Sequence, residues 1–137
     1  MSKGVVIDNN KVKPFICSDT YSSRMLLDDI VAGEKSIHIN EGTLKGGGTT
    51  LPGGAHEAPE IYYIVKGEAV LTLDDQKYEV KPGTVIFIPK GCLHALENKS
   101  ETDDFVLLTI WENTKYNEVY HERVKAWGKS FKTVDEE

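Results

Sequence analysis

Short apolar runs separated by glycine and proline turns occupy the chain from residue 36 to residue 111. The clearest of these runs read EIYYIV at 60–65, AVLTL at 69–73, TVIFI at 84–88 and FVLLTIW at 105–111. They are rich in β-branched and aromatic residues, and no repeat of 3.6 residues occurs between them. Many short strands with regular turn signals predict an all-β sandwich or barrel.

Two of these segments also carry predictions about burial. The run TVIFI is apolar throughout, which is typical of a buried strand. In the segment EKSIHINEGTL, Ile37 and Ile39 fall on one face and His38 falls on the other. We expect the isoleucine face to be buried and the His38 face to point to solvent, the alternative being a polar cavity. Residues 22–30 fit either a helical turn or an edge strand.

The length of 137 residues is that of one domain, and no change of composition suggests a second. We expect a single domain, 1–137, with a core barrel at about 34–112. In the tail, Tyr120, Val124 and Trp127 recur at i, i+4 and i+7, which predicts a short amphipathic helix at about 115–128.

The charge and the cysteines limit the classes of partner and the compartment. The net charge is −6 and no basic cluster occurs, whereas binding to nucleic acid or to an anionic membrane surface requires positive charge. No run approaches the roughly 20 apolar residues of a membrane span. Two cysteines are too few for a disulfide framework. These features predict a cytoplasmic protein that binds neither nucleic acid nor membrane.

Three residues of ligand type are placed so that they could hold one metal ion. His56 and Glu60 are four residues apart, so on an extended strand both point to one face, together with Tyr62. His94 begins a later strand after a tight turn. Two imidazoles and a carboxylate leave coordination positions open, as catalysis requires. The alternative is a metal-free polar network inside the barrel.

Two spaced motifs carry a resemblance to a known family. The first motif has the spacing G-x5-H-x-H-x3(4)-E-x6-G. Gly48, His56, Glu60 and Gly67 match it, and Gly54 stands at the position of its first histidine. The second has the spacing G-x5-P-x-G-x2-H-x3-N, and its members are Gly83, Pro89, Gly91, His94 and Asn98. In both spacing and order these blocks resemble the two motifs of the cupin superfamily, in its small single-domain form.

The resemblance implies a cupin-type jelly-roll β-barrel, frequent formation of homodimers and a bound metal. One departure concerns Gly54, which stands where the family usually has its first histidine. The ligand set is therefore reduced to His56, Glu60 and His94. Glu57 is a weaker candidate because it should face away from His56. Mixed nitrogen and oxygen ligands suit Fe, Mn, Ni, Zn or Co.

The leading functional prediction is a metal-dependent enzyme that isomerises, epimerises or cleaves a small polar metabolite with a carbonyl, hydroxy-acid or sugar-like group. Glu60, Tyr62 and His38 are the candidates for proton transfer. One alternative is a non-heme Fe(II) dioxygenase that uses the same ligands. Another is a non-catalytic small-molecule or carbohydrate-binding barrel, suggested by Gly54. No phosphate-binding loop, dinucleotide motif or G-x-S-x-G elbow occurs.

Overall fold

The computed structural model describes residues 4, 6–12, 14–27, 37–55 and 59–111, and these form a β-sandwich of two antiparallel sheets. A short 3-10 turn, Asn9–Lys11, precedes the strands. The strands are β1 (Phe15–Ile16), β2 (Tyr21–Leu27), β3 (His38–Leu44), β4 (Thr50–Leu51), β5 (Glu60–Lys66), β6 (Ala69–Leu73), β7 (Gln76–Val80), β8 (Val85–Ile88), β9 (His94–Asn98) and β10 (Phe105–Trp111). Within these residues no helix is long and apolar enough to cross a membrane.

The larger sheet has the strand order β1-β2-β3-β10-β5-β8, and the smaller has β4-β9-β6-β7. From β3 onward the chain passes repeatedly between the two sheets, which is the winding of a jelly roll. This confirms the predicted all-β, jelly-roll class. The larger sheet also extends ahead of the expected barrel limit at about residue 34, because β2 pairs with β3. The predicted tail helix lies outside the described residues.

The core lies between the sheets, where strand alternation directs every second side chain inward. Ile64, Phe105 and Leu107 of the larger sheet are fully buried, and Leu71 and Leu96 of the smaller sheet pack in the same cluster. A second, smaller cluster forms around Val12 and Met25. The alternate side chains of these strands point away from this core.

Two burial predictions were wrong, and the strand pattern explains both. In β8, Val85 and Phe87 are 65% and 62% exposed, so the strand is buried on one face only. It is the outermost strand of its sheet, and its apolar residues face both ways. At the start of β3 the faces are the reverse of those expected, since His38 is 1% exposed and Ile37, just before the strand, is 48% exposed.

Asn98, the last residue of the second motif, joins the ends of the two sheets. Its side-chain amide donates to the backbone carbonyls of Leu44, Lys45 and Asp103 at 3.0–3.2 Å, and its oxygen accepts from the Ser100 N–H. An amide of 1% exposure that satisfies several buried carbonyls is costly to replace. It holds β9 in place relative to β3 and β10.

Candidate metal centre

Glu60 and His94 meet at one end of the sandwich, although they belong to different sheets. Glu60 is the first residue of β5 in the larger sheet, and His94 is the first residue of β9 in the smaller one. Both are buried, and His94 Nε2 lies 3.5 Å from Glu60 Oε1. The structure therefore brings together two of the three predicted ligands.

The orientation of the His94 ring is fixed by its other nitrogen. Nδ1 lies 3.0 Å from the backbone carbonyl oxygen of Cys92, and a carbonyl can only accept, so Nδ1 carries the proton and donates. The ring is thereby held with its Nε2 directed toward the Glu60 carboxylate. A metal-binding histidine has this arrangement, in which a backbone carbonyl selects the tautomer.

The pair of atoms fits a shared cation. His94 Nε2 and Glu60 Oε1 face each other at 3.5 Å in a buried site, and either a proton or a positive ion between them would satisfy both atoms. Ligand atoms that each lie about 2.0–2.2 Å from one ion are separated by roughly 3–3.5 Å. The residues present at this site therefore fit a divalent transition metal.

The third predicted ligand, His56, lies outside the described residues, as does Glu57. Within the parts of the chain that the structure describes, no three histidine, cysteine or acidic side chains cluster. Gly53 and Gly54 lead toward His56 and lie beside His94. The His94 N–H donates to the Gly54 carbonyl at 3.4 Å.

These two glycines differ in their surroundings. A Cβ added to Gly53 would overlap the carbonyl oxygen of His94, whereas a Cβ on Gly54 would meet no atom of the described residues within 4 Å. Gly53 thus permits the close approach of this loop to β9. Gly54 stands at the position of the family's first histidine, and the described part of the chain leaves room there for a side chain.

Tyr62 lies on the same inward face as Glu60, two residues along β5. It is 5% exposed, and its ring meets the His94 ring edge-on with the centroids 6.0 Å apart. Tyr63, the next residue, points outward and is 41% exposed. The structure places Tyr62 beside the candidate metal ligands.

His38 belongs to the same interior face, which corrects the expectation that it points to solvent. Trp111 of β10 is paired with His38 on one side and with Glu60 on the other, so the three residues form a row across β3, β10 and β5. The rings of His38 and Trp111 are 5.5 Å apart. His38 Nε2 is buried and has no hydrogen-bond partner in the described structure.

Sequence reasoning did not select Trp111 or Thr109 as site residues. Thr109 is buried and is paired with Tyr62 and with Asn40, one row further into the barrel. The signal that could have found them is the alternation of β10. Phe105 and Leu107 face inward, so Thr109 and Trp111 must face inward as well.

Cys92 lies two residues before His94 and contributes its backbone carbonyl to the site. Its side chain is buried, and burial, followed by the charge of Asp74, raises the pKa of the thiol. A thiol that stays protonated is a poor nucleophile and a poor metal ligand. This accords with an inert buried cysteine.

Comparison with known proteins identifies the family. A family model described as a cupin domain matches residues 40–111, which is more than half of the chain. The chain belongs to the cupin superfamily. A similar protein is an uncharacterised protein of Methanocaldococcus jannaschii, 37% identical over 96 residues that cover 70% of this chain and 77% of that protein.

Solved structures share the cupin fold at lower sequence identity. The polyketide cyclase RemF from Streptomyces resistomycificus has a TM-score of 0.72 and 23% identity, covering 80% of each chain. A predicted oxalate decarboxylase from Thermotoga maritima has a TM-score of 0.70 and 23% identity, covering 79% of this chain and 98% of that one. At identities this low, the TM-scores establish a common fold only.

Proposed function

We propose that this cupin is a metal-dependent enzyme that acts on a small polar metabolite bound between the two sheets. The observation that carries the proposal is the pairing of His94 Nε2 with Glu60 Oε1 while Nδ1 is held by a backbone carbonyl. The names of the structural neighbours, a cyclase and a predicted decarboxylase, support an enzyme and leave the substrate open.

His56, Glu60 and His94 would hold the ion, which we propose to be Fe, Mn, Ni, Zn or Co. A bound divalent ion supplies Lewis-acid polarisation of a carbonyl or hydroxy-acid oxygen, worth several kcal/mol of charge stabilisation. The Cys92 carbonyl accepts the Nδ1 proton of His94 and so directs Nε2 toward the proposed ion. The ion would thereby link β5 to β9.

Proton transfer is assigned to the polar side chains of the larger sheet. A carboxylate that binds the ion is a weaker base, so Tyr62 and His38 are favoured over Glu60 for this step. The Tyr62 hydroxyl can donate or accept a proton, and the buried His38 Nε2 has no partner in the described structure to compete with a substrate group. This chemistry would isomerise, epimerise or cleave the substrate without a change of oxidation state.

A non-catalytic binding protein is the second candidate. It is favoured by Gly54, which supplies no ligand at the position where the family's first histidine usually stands. In that case the cavity would bind a small molecule or carbohydrate through Tyr62, Thr109 and Asn40. The proposals of a homodimer and of a cytoplasmic location do not depend on whether the protein is an enzyme or a binding protein.

Metal analysis of protein purified without a metal-chelating tag tests the proposal. We expect about one ion per chain in the native protein. The ion should be lost, by at least about tenfold in occupancy, in Glu60→Gln and His94→Ala. Glu97→Gln is the matched control, because Glu97 is an exposed glutamate on the same strand as His94.

Two outcomes would change the assignment. A native protein that takes up no ion from supplemented medium or buffer, but still binds a metabolite, would support the non-catalytic alternative. Iron together with substrate-dependent oxygen consumption would replace the isomerase or lyase chemistry with dioxygenation.

A further inference from the structure

The turn between β6 and β7 is hydrogen-bonded to the residue that precedes His94. β6 ends at Leu73, which is paired with His94, and the turn that follows begins at Asp74. The Asp74 backbone N–H donates to the Leu93 carbonyl at 2.7 Å, and the Asp74 carboxylate accepts from the Leu93 N–H at 3.0 Å. Asp74 therefore binds both backbone polar groups of Leu93.

One peptide group joins the Asp74 carboxylate to the His94 ring. The Leu93 N–H and the Cys92 carbonyl belong to the same peptide bond, which is planar and rigid. Its N–H donates to Asp74, and its carbonyl accepts from His94 Nδ1 at 3.0 Å. A carboxylate that accepts from one end of a peptide group also polarises the carbonyl at the other end, which makes it a stronger acceptor.

The conformation of Asp74 explains why a side chain makes the second bond. In a regular antiparallel pair, two opposed residues can exchange two backbone hydrogen bonds. The φ of Asp74 is +52°, which is outside the strand region, and here its carboxylate accepts from Leu93. Glycine adopts this φ without strain but has no acceptor to offer, so the turn alone does not require an aspartate.

Little else fixes the position of Leu93. Its side chain is 48% exposed, so packing contributes little. The turn before it contains Gly91 at a φ of +78° and is closed by a hydrogen bond of 3.1 Å from the Cys92 N–H to the Pro89 carbonyl. The two hydrogen bonds to Asp74 therefore set the plane of the Cys92–Leu93 peptide.

We infer that Asp74 is a positioning residue for His94, acting through the Cys92–Leu93 peptide. Its carboxylate fixes and polarises the carbonyl that holds Nδ1, and this orients Nε2 toward Glu60 and makes it a better donor to a cation. The effect on metal affinity rests on the proposed function. The effect on the ring of His94 does not, because it is a property of the metal-free protein.

Three variants separate the hydrogen bond from the charge. Asp74→Gly suits the positive φ and removes the carboxylate, whereas Asp74→Asn removes the charge but keeps an oxygen that can accept from Leu93. Asp75→Ala is the matched control, since Asp75 is the neighbouring exposed aspartate of the same turn and contacts the Gln76 amide at 3.4 Å. Asp74 is also exposed, so each variant leaves the core intact.

Competition between the protein and a chromophoric chelator for Co(II) measures the first effect. Asp74→Gly should raise the dissociation constant for Co(II) by about tenfold, and Asp74→Asn should recover most of that loss. Asp75→Ala should stay within about twofold of the native protein at roughly 0.15 M salt, because an exposed charge is screened.

Hydrogen exchange of the His94 Nδ1 proton in the metal-free protein, followed by NMR, measures the second effect. Exchange should be at least about threefold faster in Asp74→Gly and unchanged in Asp75→Ala. The backbone amides of β10 serve as the reference for global unfolding, and their exchange should be the same in both variants. A purely structural role of Asp74 would accelerate the exchange of the ring proton and of these amides together.

Two results would overturn the inference. One is equal behaviour of Asp74→Gly and Asp75→Ala in the ring-proton measurement. The other is a loss of Co(II) affinity in Asp74→Asn as large as in Asp74→Gly, which would assign the effect to charge and not to the hydrogen bond. A native protein that binds no Co(II) would contradict the proposed function, and the ring-proton measurement would then decide the role of Asp74 by itself.

Discussion

Gly53 and Gly54 lie next to each other beside His94 but differ in the space that surrounds them. A side chain on Gly53 would displace the His94 backbone, and with it the ring that faces Glu60. A side chain on Gly54 would meet none of the described residues, and the backbone there does not adopt a positive φ. One glycine is therefore required by packing, and the other leaves a position open near the candidate metal.

Gly54→His should tighten metal binding. The new imidazole would restore the histidine that the cupin motif usually has at this position, and no atom within the described residues blocks its Cβ. We expect the dissociation constant to fall by about tenfold or more, which corresponds to about 1.4 kcal/mol. Competition with a chromophoric chelator measures the change. An unchanged constant would show that residue 54 does not reach the ion.

Gly53→Ala is the companion variant and should have the opposite effect. Its methyl group overlaps a backbone oxygen that cannot move without shifting β9. We expect a loss of about 1–3 kcal/mol in the free energy of unfolding, together with weaker metal binding. Urea denaturation measures the free energy of unfolding, and the chelator competition measures the affinity for the metal. Stability and affinity equal to those of the native protein would mean that this loop does not contact His94 in solution.

At the scale of the element, alternation along each strand decides which residues build the core. β6 is the clearest case, since it is paired on both sides within the smaller sheet. Leu71 is 1% exposed and contacts the core, while its neighbour Val70 is half-buried on the opposite face.

Leu71→Ala should destabilise the protein far more than Val70→Ala. Removal of a buried leucine side chain leaves a cavity and costs about 2–5 kcal/mol. Val70→Ala, at a half-buried position, should lower the free energy of unfolding by about 1 kcal/mol or less. Urea denaturation with a common m-value measures the difference. Equal losses for the two variants would contradict the inward and outward assignment of β6.

The strands that alternate, or that end at clear turns, were predictable from sequence. AVLTL and FVLLTIW correspond to β6 and β10 without a shift of boundary, because turn residues limit both. TVIFI was predicted to be buried because an apolar run has no period, and only its position at the edge of the sheet exposes one face. The prediction that His38 points to solvent was wrong for a related reason. Its strand has both polar and apolar residues that could form the inner face.

At the scale of the whole molecule, the candidate site joins the two sheets. Glu60 begins β5 of the larger sheet and His94 begins β9 of the smaller one. The spacing of two motifs predicted that these residues would meet. It could not predict the contribution of Trp111, which depends on how β10 pairs between β3 and β5.

Metal binding should therefore stabilise the entire fold. An ion that binds only the folded protein adds about 2.7 kcal/mol to the free energy of unfolding at a hundred times its dissociation constant. We expect a higher melting temperature with metal than with a chelator for the native protein and for Glu97→Gln. Glu60→Gln should show no such difference. A gain of the same size in Glu60→Gln would mean that the ion binds elsewhere.

The two-sided apolar character of β8 has a consequence for synthesis in the cell. A β-prone edge strand without charge is a template for aggregation whenever it is exposed in a nascent chain. Lys81 and Pro82 precede β8, and Pro89 and Lys90 follow it. Proline removes a backbone donor at each end and lysine adds charge, so an incoming strand could pair with only a few residues. We expect these flanking residues to limit aggregation of the unfolded chain, so that their replacement should lower the yield of soluble protein.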